Sequence, residues 1–299
     1  MDLQLDQLRA LDAVLTEGTF DAAARRLSVT PSAISQRIKA LEEAAGRILV
    51  QRSKPVRATE SGLAVLRLAR QVELLTGDTA RELGDVDRPA GRPARIPIAV
   101  NADSLETWVM PALAAVGSGI CFELHREDEE HTTRLLRDGT VMAAITATAT
   151  PVQGCKVVPL GAMRYQSLAT PAFVAHWFPD GARPDAYAHV PMIQFDRKDD
   201  LQFRHVGRRS PLPIDPPMHF VPSSNAFGDA VRLGMGWGML PDLQTEKDRA
   251  TGTLVNISGH AHIDVPLYWQ QWKLDSPALS KTAAAIVAAA ADKLIQPTR

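Results

Sequence analysis

Short polar side chains along one predicted helix are the residues best suited to chemistry in this sequence. Thr30 can cap a helix whose first residue is Pro31, because a proline lacks the N–H group that would be unsatisfied there. From that start, apolar residues recur at helical spacing and polar residues occupy another face. Hydroxyl, amide and ammonium groups on such a face can bond base edges and phosphates. The polar face consists of Ser32, Ser35, Gln36 and Lys39.

The charge around this helix favours a polyanionic partner. Residues 22–59 contain eight basic residues against two acidic ones, whereas the whole chain has a formal net charge of −1. A local basic excess in a nearly neutral protein is typical of nucleic-acid binding. The alternative is a solvated helical pair with ordinary surface arginines, but the cap, the two-faced helix and the charge agree with one another. The predicted DNA-contacting residues are Arg25, Pro31, Ser32, Ser35, Gln36, Arg37, Lys39, Arg52, Lys54 and Arg57.

Three hydroxyl-containing segments later in the chain are suited to binding a carboxylate. In parallel α/β sheets, ligands lie beyond the carboxyl ends of the strands, next to helix N-termini whose N–H groups favour anions. Residues 101–104, 146–148 and 223–224 each follow a predicted strand. Taken singly, each hydroxyl is better explained as an ordinary helix cap. The candidate ligands are Ser104, Thr146, Thr148 and Ser224.

Acidic residues lie beside these segments. Residues 127–130 read EDEE and follow one predicted strand, and Asp103 follows another. Such a run can be a solvated loop or a charge placed at a helix N-terminus. Carboxylates beside a carboxylate-binding cap are also what an amino acid with a cationic side chain requires. The candidates for this cationic end are Asp103, Glu127, Asp128, Glu130 and Asp196, together with Trp108, which would either stack on the cation or belong to the core.

Known catalytic patterns are missing from the sequence. It contains no G-x-S-x-G, no Walker loop and no H-E-x-x-H. The glycines of LGMGWGMLP, residues 233–241, follow a helix and precede a strand, which is the wrong order for a cofactor loop. Cys121 and Cys155 lie far apart with no metal-ligand spacing; we interpret both as small core residues, with a regulatory thiol as the alternative. The sequence therefore predicts neither an enzyme nor a cofactor or metal site.

The elements that would position the basic residues lie within the first 83 residues. We predict helices over residues 4–17 and 20–27, the helix from Pro31 to Gly46, and a wing of strands at 48–52 and 56–58. A long helix then runs from a cap at Thr59 to about residue 83, and its apolar stripe needs a partner. Dimerisation is favoured because DNA readers of this type usually need two half-sites, and an intramolecular partner is the alternative. The predicted dimerisation residues are Val65, Leu68, Val72 and Leu75.

The rest of the chain alternates predicted strands and helices. Residues 85–95 are rich in proline, glycine and charge and are typical of a linker. Beyond them the alternation indicates an α/β domain with a largely parallel sheet. A chain of 299 residues, 45% of them hydrophobic, is long enough for two or three domains. No apolar run has membrane-spanning length and no signal peptide is evident, so we expect a cytoplasmic protein without membrane contact.

Several blocks of the sequence resemble one family. FDAAARRLSVTPSAISQRIKALEEAAGRILVQR, followed by RATESG, resembles the N-terminal domain of the LysR-type transcriptional regulators. IAVNADSLETWVMPAL, EDEEHTTRLLRDG, GWGMLP and VPLYWQQWKLDSP resemble the branch of that family that regulates basic amino acid export, the LysG/ArgP group. The resemblance covers nearly the whole chain.

The resemblance implies a domain order and a function. It implies a winged helix-turn-helix (1–59), a dimerising linker helix (60–84), a hinge (85–95) and a two-lobed, periplasmic-binding-protein-like α/β effector domain, with lobes formed by 96–165 plus 267–299 and by 166–266. Ser104, Thr146 and Ser224 best match the hydroxyl residues of LysR-type effector sites. The implied partners are an operator in double-stranded DNA and a second or further copies of the chain in a homodimer or homotetramer, while contact with RNA polymerase is left open. No cofactor is implied.

The implied effector is a basic amino acid, L-lysine first and L-arginine or L-histidine as alternatives, controlling an amino acid exporter gene by activation. A different class of function stays open beside it. The chain would then be a ligand-independent DNA-binding or architectural protein whose distal domain serves oligomerisation. A thermal-shift panel of amino acids separates the two, because a ligand that binds the native state raises its melting temperature.

Overall fold

The computed structural model describes residues 2–83, 93–126, 129–183, 185–208 and 214–297. The N-terminal part is a three-helix domain with a two-stranded antiparallel hairpin, followed by one long helix. The hairpin strands are shorter than predicted, with two residues each. These elements are α1 (Leu5–Glu17), α2 (Phe20–Leu27), α3 (Pro31–Ala45), β1 (Val50–Gln51), β2 (Arg57–Ala58) and α4 (Glu60–Glu82).

Local capping explains where α3 begins and ends. The Thr30 hydroxyl accepts the N–H of Ala33 at 3.2 Å, Pro31 is the first helical residue, and Gly46 ends the helix at a φ of 64°. Only glycine adopts that left-handed conformation without strain. Fully buried apolar residues of α3 pack with α1 and α2 in one core. The predicted helix and its apolar face are therefore confirmed.

Helix α4 divides its apolar residues between two environments. Thr59 caps it as predicted, accepting the N–H of Gly62 at 3.0 Å. Val65 is only 9% exposed and packs with Val72 against the core of the N-terminal domain. Leu68 and Leu75 are each 36% exposed. The assignment of Val65 to a dimer interface is therefore wrong, because it is buried against neighbours within the same chain. The prediction remains for Leu68, Val72 and Leu75, since Val72 is only partly buried.

The second half of the chain forms two lobes that share two long strands. The first elements are β3 (Ala94–Val100), α5 (Ala102–Ser104), a π-helical turn (Leu105–Val109), α6 (Met110–Ala114), β4 (Ile120–Arg126), α7 (Glu129–Asp138), β5 (Ala143–Thr146) and β6 (Cys155–Ala169). They are followed by α8 (Pro171–Trp177), a short 3-10 turn (Ala186–Ala188), β7 (Met192–Gln194), α9 (Leu201–Gly207), β8 (Met218–Phe220), α10 (Ser224–Arg232), β9 (Gly238–Pro241), α11 (Asp242–Thr251), β10 (Val255–Asn256), β11 (His262–Trp272) and α12 (Pro277–Lys293).

The main sheet has the strand order β10-β6-β11-β5-β3-β4, and β9 also pairs with β6. Within it only the pairs β3–β4 and β3–β5 are parallel, and the other pairs are antiparallel. The prediction of a largely parallel sheet is thus wrong, because β6 and β11 run antiparallel through both lobes. They change register between Leu267 and Tyr268, opposite Gly161, whose φ is 119°. Helix α12 returns to pack on the first lobe against α6.

No helix in the described ranges is long and apolar enough to cross a membrane.

Candidate DNA-binding surface and effector cleft

The exposed side of α3 carries most of the predicted base-reading residues. Ser32, Gln36 and Lys39 are exposed, and Ser35 is half-buried at the edge of the same face. Ile34 and Ile38 point the other way into the core, which fixes the rotation of the helix. Pro31 is exposed at the start of the face. The local sequence therefore presents hydroxyl, amide and ammonium groups together on one outer surface.

Arg37 does not belong to that face. Its Nε donates to Asp6 Oδ2 at 3.0 Å, so the guanidinium joins α3 to the start of α1. One helical residue corresponds to a rotation of about 100°, which carries Arg37 away from Gln36 towards the body of the domain. We therefore remove Arg37 from the predicted DNA-contacting residues.

Basic residues flank this helix on the outside of the domain. Arg25 is exposed near the end of α2, and Lys54 and Arg57 are exposed on the hairpin. The Arg52 guanidinium lies 5.5 Å from the centroid of the Phe20 ring, a cation–π distance that holds the wing against α2. Exposed cations in these places are suited to contacts with the phosphates of the DNA backbone. Such contacts position a protein on DNA but do not distinguish one base sequence from another.

Sheet register brings three of the predicted ligand-binding segments to one edge of the first lobe. Val100 pairs with Arg126, and Ala99 pairs with Ala144, so β3, β4 and β5 end side by side. The residues that follow these strands are 101–104, 127–130 and 146–148. Within them, Glu127 and Asp128 lie outside the described residues, as does the side chain of Glu130. The position of the acidic run is therefore known only from the end of β4, which precedes it, and the start of α7 at Glu129.

The hydroxyls of the first lobe are buried at this edge. Asn101, not Ser104, caps the helix, because its Oδ1 accepts the Ser104 N–H at 2.8 Å. Ser104 is fully buried and its Oγ has no hydrogen-bond partner among the described residues. Thr146 is also buried, and its Oγ1 accepts the N–H of Thr148, which is half-buried, at 3.1 Å. A buried hydroxyl without a partner is costly, and a ligand carboxylate would satisfy it.

Asp103 joins the two lobes. Its carboxylate accepts a hydrogen bond from Ser224 Oγ at 2.5 Å and another from the Tyr165 hydroxyl at 2.7 Å. Glu106, one turn after Asp103, accepts a hydrogen bond from the Asn225 side chain at 2.7 Å. The start of α5 in the first lobe therefore meets the N-terminus of α10 in the second, with Tyr165 reaching them from β6.

The electrostatics of Asp103 are unusual. Burial raises the pKa of its carboxyl above the ordinary value, while the hydrogen bonds from Ser224 and Tyr165 lower it, and nearby Glu106 raises it further. Glu106 is the charged residue that contributes to this shift in the described part of the chain. In the facing lobe, burial also raises the pKa of Asp199, and Asp103 adds to that increase. The cleft thus holds carboxylates that a cation would stabilise.

Two predicted effector residues have other roles in the structure. Trp108 is 2% exposed and belongs to the core of the first lobe, so the core interpretation is correct and the stacking role is wrong. Asp196 accepts the backbone N–H groups of Lys198 at 2.7 Å and Asp199 at 3.0 Å, which makes it a cap of its own turn. Tyr165 was not among the predicted site residues, because a tyrosine within a strand carries no local sign of a contact made through chain folding.

The remaining motifs have structural roles. The glycines after α10 form a turn, with Gly234 at a φ of 74°, and lead into β9, as predicted. Cys155 is buried, and burial raises the pKa of its thiol to about 11. Cys121 is exposed on β4, so its assignment to the core is wrong.

Comparison with known proteins decides the family. Residues 5–63 match the model of the bacterial regulatory helix-turn-helix protein of the lysR family, and residues 90–291 match the LysR substrate binding domain. The chain is a LysR-type transcriptional regulator. The predicted family is thereby confirmed, and the exposed face of α3 belongs to its helix-turn-helix and the cleft to its substrate-binding domain.

Full-length relatives place this regulator in the LysG/ArgP branch. It is 42% identical over 293 residues to the lysine export transcriptional regulatory protein LysG of Corynebacterium glutamicum, covering 96% of this chain and 98% of that protein. It resembles the crystal structure of ArgP from Mycobacterium tuberculosis at 44% identity and a TM-score of 0.87, covering 98% of both chains. It also resembles full-length Corynebacterium glutamicum LysG with bound effector Arg, at 40% identity and a TM-score of 0.77, covering 98% of this chain and 100% of that one. The branch is one of DNA-binding transcriptional regulators, so the prediction that the chain is not an enzyme is confirmed.

Proposed function

We propose that this LysR-type regulator senses a basic amino acid in the cleft between its lobes and controls a gene for amino acid export. L-lysine is the favoured effector, with L-arginine next and L-histidine third. The observation that carries the proposal is the buried Asp103 carboxylate between the lobes, which is suited to the ammonium group of an amino acid. The basic side chain is inferred from the acidic residues at 127–130. The bound arginine in the LysG relative and the lysine-export name of that protein support the same effector class.

In this proposal the domain division is the one predicted from sequence. The DNA-binding domain comprises residues 1–59, the linker helix 60–84 and the hinge 85–95, most of which lies outside the described residues. The lobes comprise 96–165 plus 267–299 and 166–266. The register change between Leu267 and Tyr268 supports the division between the lobes. On one side of it β11 also pairs with β5 of the first lobe, and on the other side β6 also pairs with β9 of the second. A regulator of this kind acts where its operator DNA is, so we expect it in the cytoplasm.

Operator binding requires two copies of the chain in this proposal. Leu68 and Leu75 are exposed on α4 and lie seven residues apart, which puts them on one side of the helix. Pairing of α4 between two chains would bury both leucines and set the separation of two recognition helices. We propose a homodimer as the basic unit, and a homotetramer as a pair of such dimers.

Signalling would be a population shift rather than a chemical step. Arg70 of α4 supplies a connection, because it donates to Asp12 of α1 at 2.9 Å and to the Gly139 carbonyl of the first lobe at 2.8 Å. A Cβ atom built on Gly139 would lie 2.7 Å from the Arg67 backbone, so the lobe approaches α4 closely. Effector binding that moves the lobes would therefore change the restraint on the DNA-binding domain.

A ligand panel tests the effector class. The full-length protein is heated with each standard amino acid, and we expect L-lysine or L-arginine to raise the melting temperature most. L-Norleucine keeps the stem of lysine without its side-chain ammonium, so it should stabilise far less, because acidic groups in the cleft would stay unpaired. Equal stabilisation by lysine and norleucine would refute a basic effector. No response to any amino acid, with salt-sensitive DNA affinity retained, would instead favour the ligand-independent alternative.

A further inference from the structure

Asp103 has the hydrogen-bonding geometry of an ammonium-binding group. Its two oxygens already accept the hydroxyls of Ser224 and Tyr165. A carboxylate has about four lone-pair sites, so further donors can still bind it, and a hydroxyl that donates one hydrogen bond can accept another. An ammonium group has three donors and no acceptor. The acceptors that it needs are therefore present at this point, and among the described residues the charged group that contributes to the raised pKa of Asp103 is Glu106, which is acidic.

The position of Asp103 in the chain indicates which ammonium group it would bind. It is the residue before Ser104. The buried Oγ of Ser104 has no hydrogen-bond partner in the described part of the chain. We take this hydroxyl as the group that binds the effector carboxylate. In an α-amino acid the carboxylate and the α-ammonium are bonded to the same carbon, so they must be bound by adjacent groups. The side-chain cation of lysine lies at the far end of a four-carbon stem.

We propose that Asp103 and Ser224 bind the α-ammonium group of the effector, with Tyr165 as a positioning residue that holds the Asp103 carboxylate. This inference rests on the proposed function and changes one assignment made from sequence, in which Asp103 would bind the side-chain cation. The side-chain cation is left to the acidic run that follows β4. Because Asp103 and Ser224 come from opposite lobes, an α-ammonium bound by both would contact both lobes at once. A diamine or a simple carboxylic acid lacks one of the two charges at this end.

Calorimetry with one-charge analogues tests the assignment. Full-length protein is titrated with L-lysine, 6-aminohexanoate, which lacks the α-ammonium, and L-norleucine, which lacks the side-chain ammonium. We expect 6-aminohexanoate to bind about 100-fold more weakly than lysine. In Asp103→Asn, lysine should lose about 100-fold in affinity and its advantage over 6-aminohexanoate should fall below about tenfold, while its advantage over norleucine persists. If arginine is the tighter ligand, 5-guanidinopentanoate and L-citrulline replace the two analogues.

Glu246→Gln is the matched control. It removes an exposed carboxylate on α11, away from the contact between the lobes. All three ligand affinities should stay within about threefold of the unmodified protein, since exposed charges contribute little. Ser224→Ala provides a second variant should Asp103→Asn fold poorly: lysine should lose about tenfold, with 6-aminohexanoate unchanged.

Tyr165→Phe distinguishes positioning from a purely structural role. The tyrosine hydroxyl lowers the pKa of Asp103. Without this hydroxyl Asp103 should be protonated at a higher pH, so the affinity for lysine should begin to fall at a higher pH on acidification. Glu106 and Asp199 are the other titratable groups that interact with Asp103, and both are unchanged in this variant. A uniform loss of affinity at every pH would overturn the positioning role.

Three results would overturn the inference. In the first, Asp103→Asn closes the gap between lysine and norleucine, which would return Asp103 to the side-chain cation. In the second, the variant leaves all three affinities unchanged, which would exclude contact with the ligand. Failure of the unmodified protein to bind lysine, arginine or histidine would reject the proposed function itself, before any variant is compared.

Discussion

The DNA-binding surface and the effector cleft both carry charge that a partner must match, but they carry it in opposite ways. Arg25, Lys54 and Arg57 are exposed and solvated. Asp103 is held between two lobes by hydroxyl groups, where burial already disfavours its charged form. An exposed charge interacts weakly with any one partner, so exposed charges contribute to binding through their number. A charge in a less polar environment interacts strongly with a single partner. Single substitutions should therefore have graded effects on DNA binding and large effects on effector binding.

The largest expected effect in the DNA-binding half comes from its need for a second chain. Leu68→Asp combined with Leu75→Asp would put unpaired charges into the proposed α4 interface. Dimers should separate, and operator affinity should fall by about 100-fold or more, because one half-site alone is contacted. Effector affinity should be unchanged, because the cleft lies within one chain. Size analysis and fluorescence anisotropy on operator DNA measure these effects.

Val287→Asp is a suitable control, since Val287 is also 36% exposed but lies on α12. Unchanged oligomers and operator affinity in the double α4 variant, with a folded spectrum, would mean that the exposed leucines have no such role. Operator binding would then not depend on the pairing of two chains through α4. The contrast with the effector cleft, which lies within one chain, would fail.

A smaller effect is expected from single residues on the DNA-contacting face. Gln36→Ala should reduce discrimination between operator and random DNA by about 1 to 3 kcal/mol, because an amide can read an adenine edge with two hydrogen bonds. Arg52→Ala should weaken binding to both DNAs alike and lower the slope of affinity against salt by about one. Titrations of both DNAs at several salt concentrations separate the two effects. Equal losses on both DNAs for Gln36→Ala would put that residue outside the base-reading face.

The smallest effect concerns stability without effector. Because burial raises the folded-state pKa of Asp103 above its unfolded value, the native chain holds that proton more tightly than the unfolded chain. The free energy of unfolding therefore falls as the pH rises through the interval between the ordinary and the raised pKa. Asp103→Asn, tested without ligand, should melt about 2–4 °C higher at neutral pH, with the gain shrinking as the pH falls below that interval. A lower melting temperature at neutral pH would show that the carboxylate is stabilised by its hydroxyl partners.

Residues whose roles depend on near neighbours in the chain were predicted correctly. Thr30, Pro31, Gly46 and Thr59 begin or end helices through contacts within four residues, and the apolar period of α3 identified its buried face. Arg37, Val65 and Trp108 were assigned wrongly because helical spacing alone does not say which of two apolar or flanking sides meets another part of the chain. Asp6, the N-terminal core and the first-lobe core decide those three positions.

The sequence by itself therefore determined the family, the order of domains along the chain and the polar face of α3, because each is encoded in contiguous residues or local periods. Only the tertiary structure brought Asp103 together with Tyr165, 62 residues away, and Ser224, 121 residues away. Their meeting depends on the register of β6 and on how α10 faces α5 across the lobes. No local pattern encodes that approach, since it results from packing two lobes around shared strands.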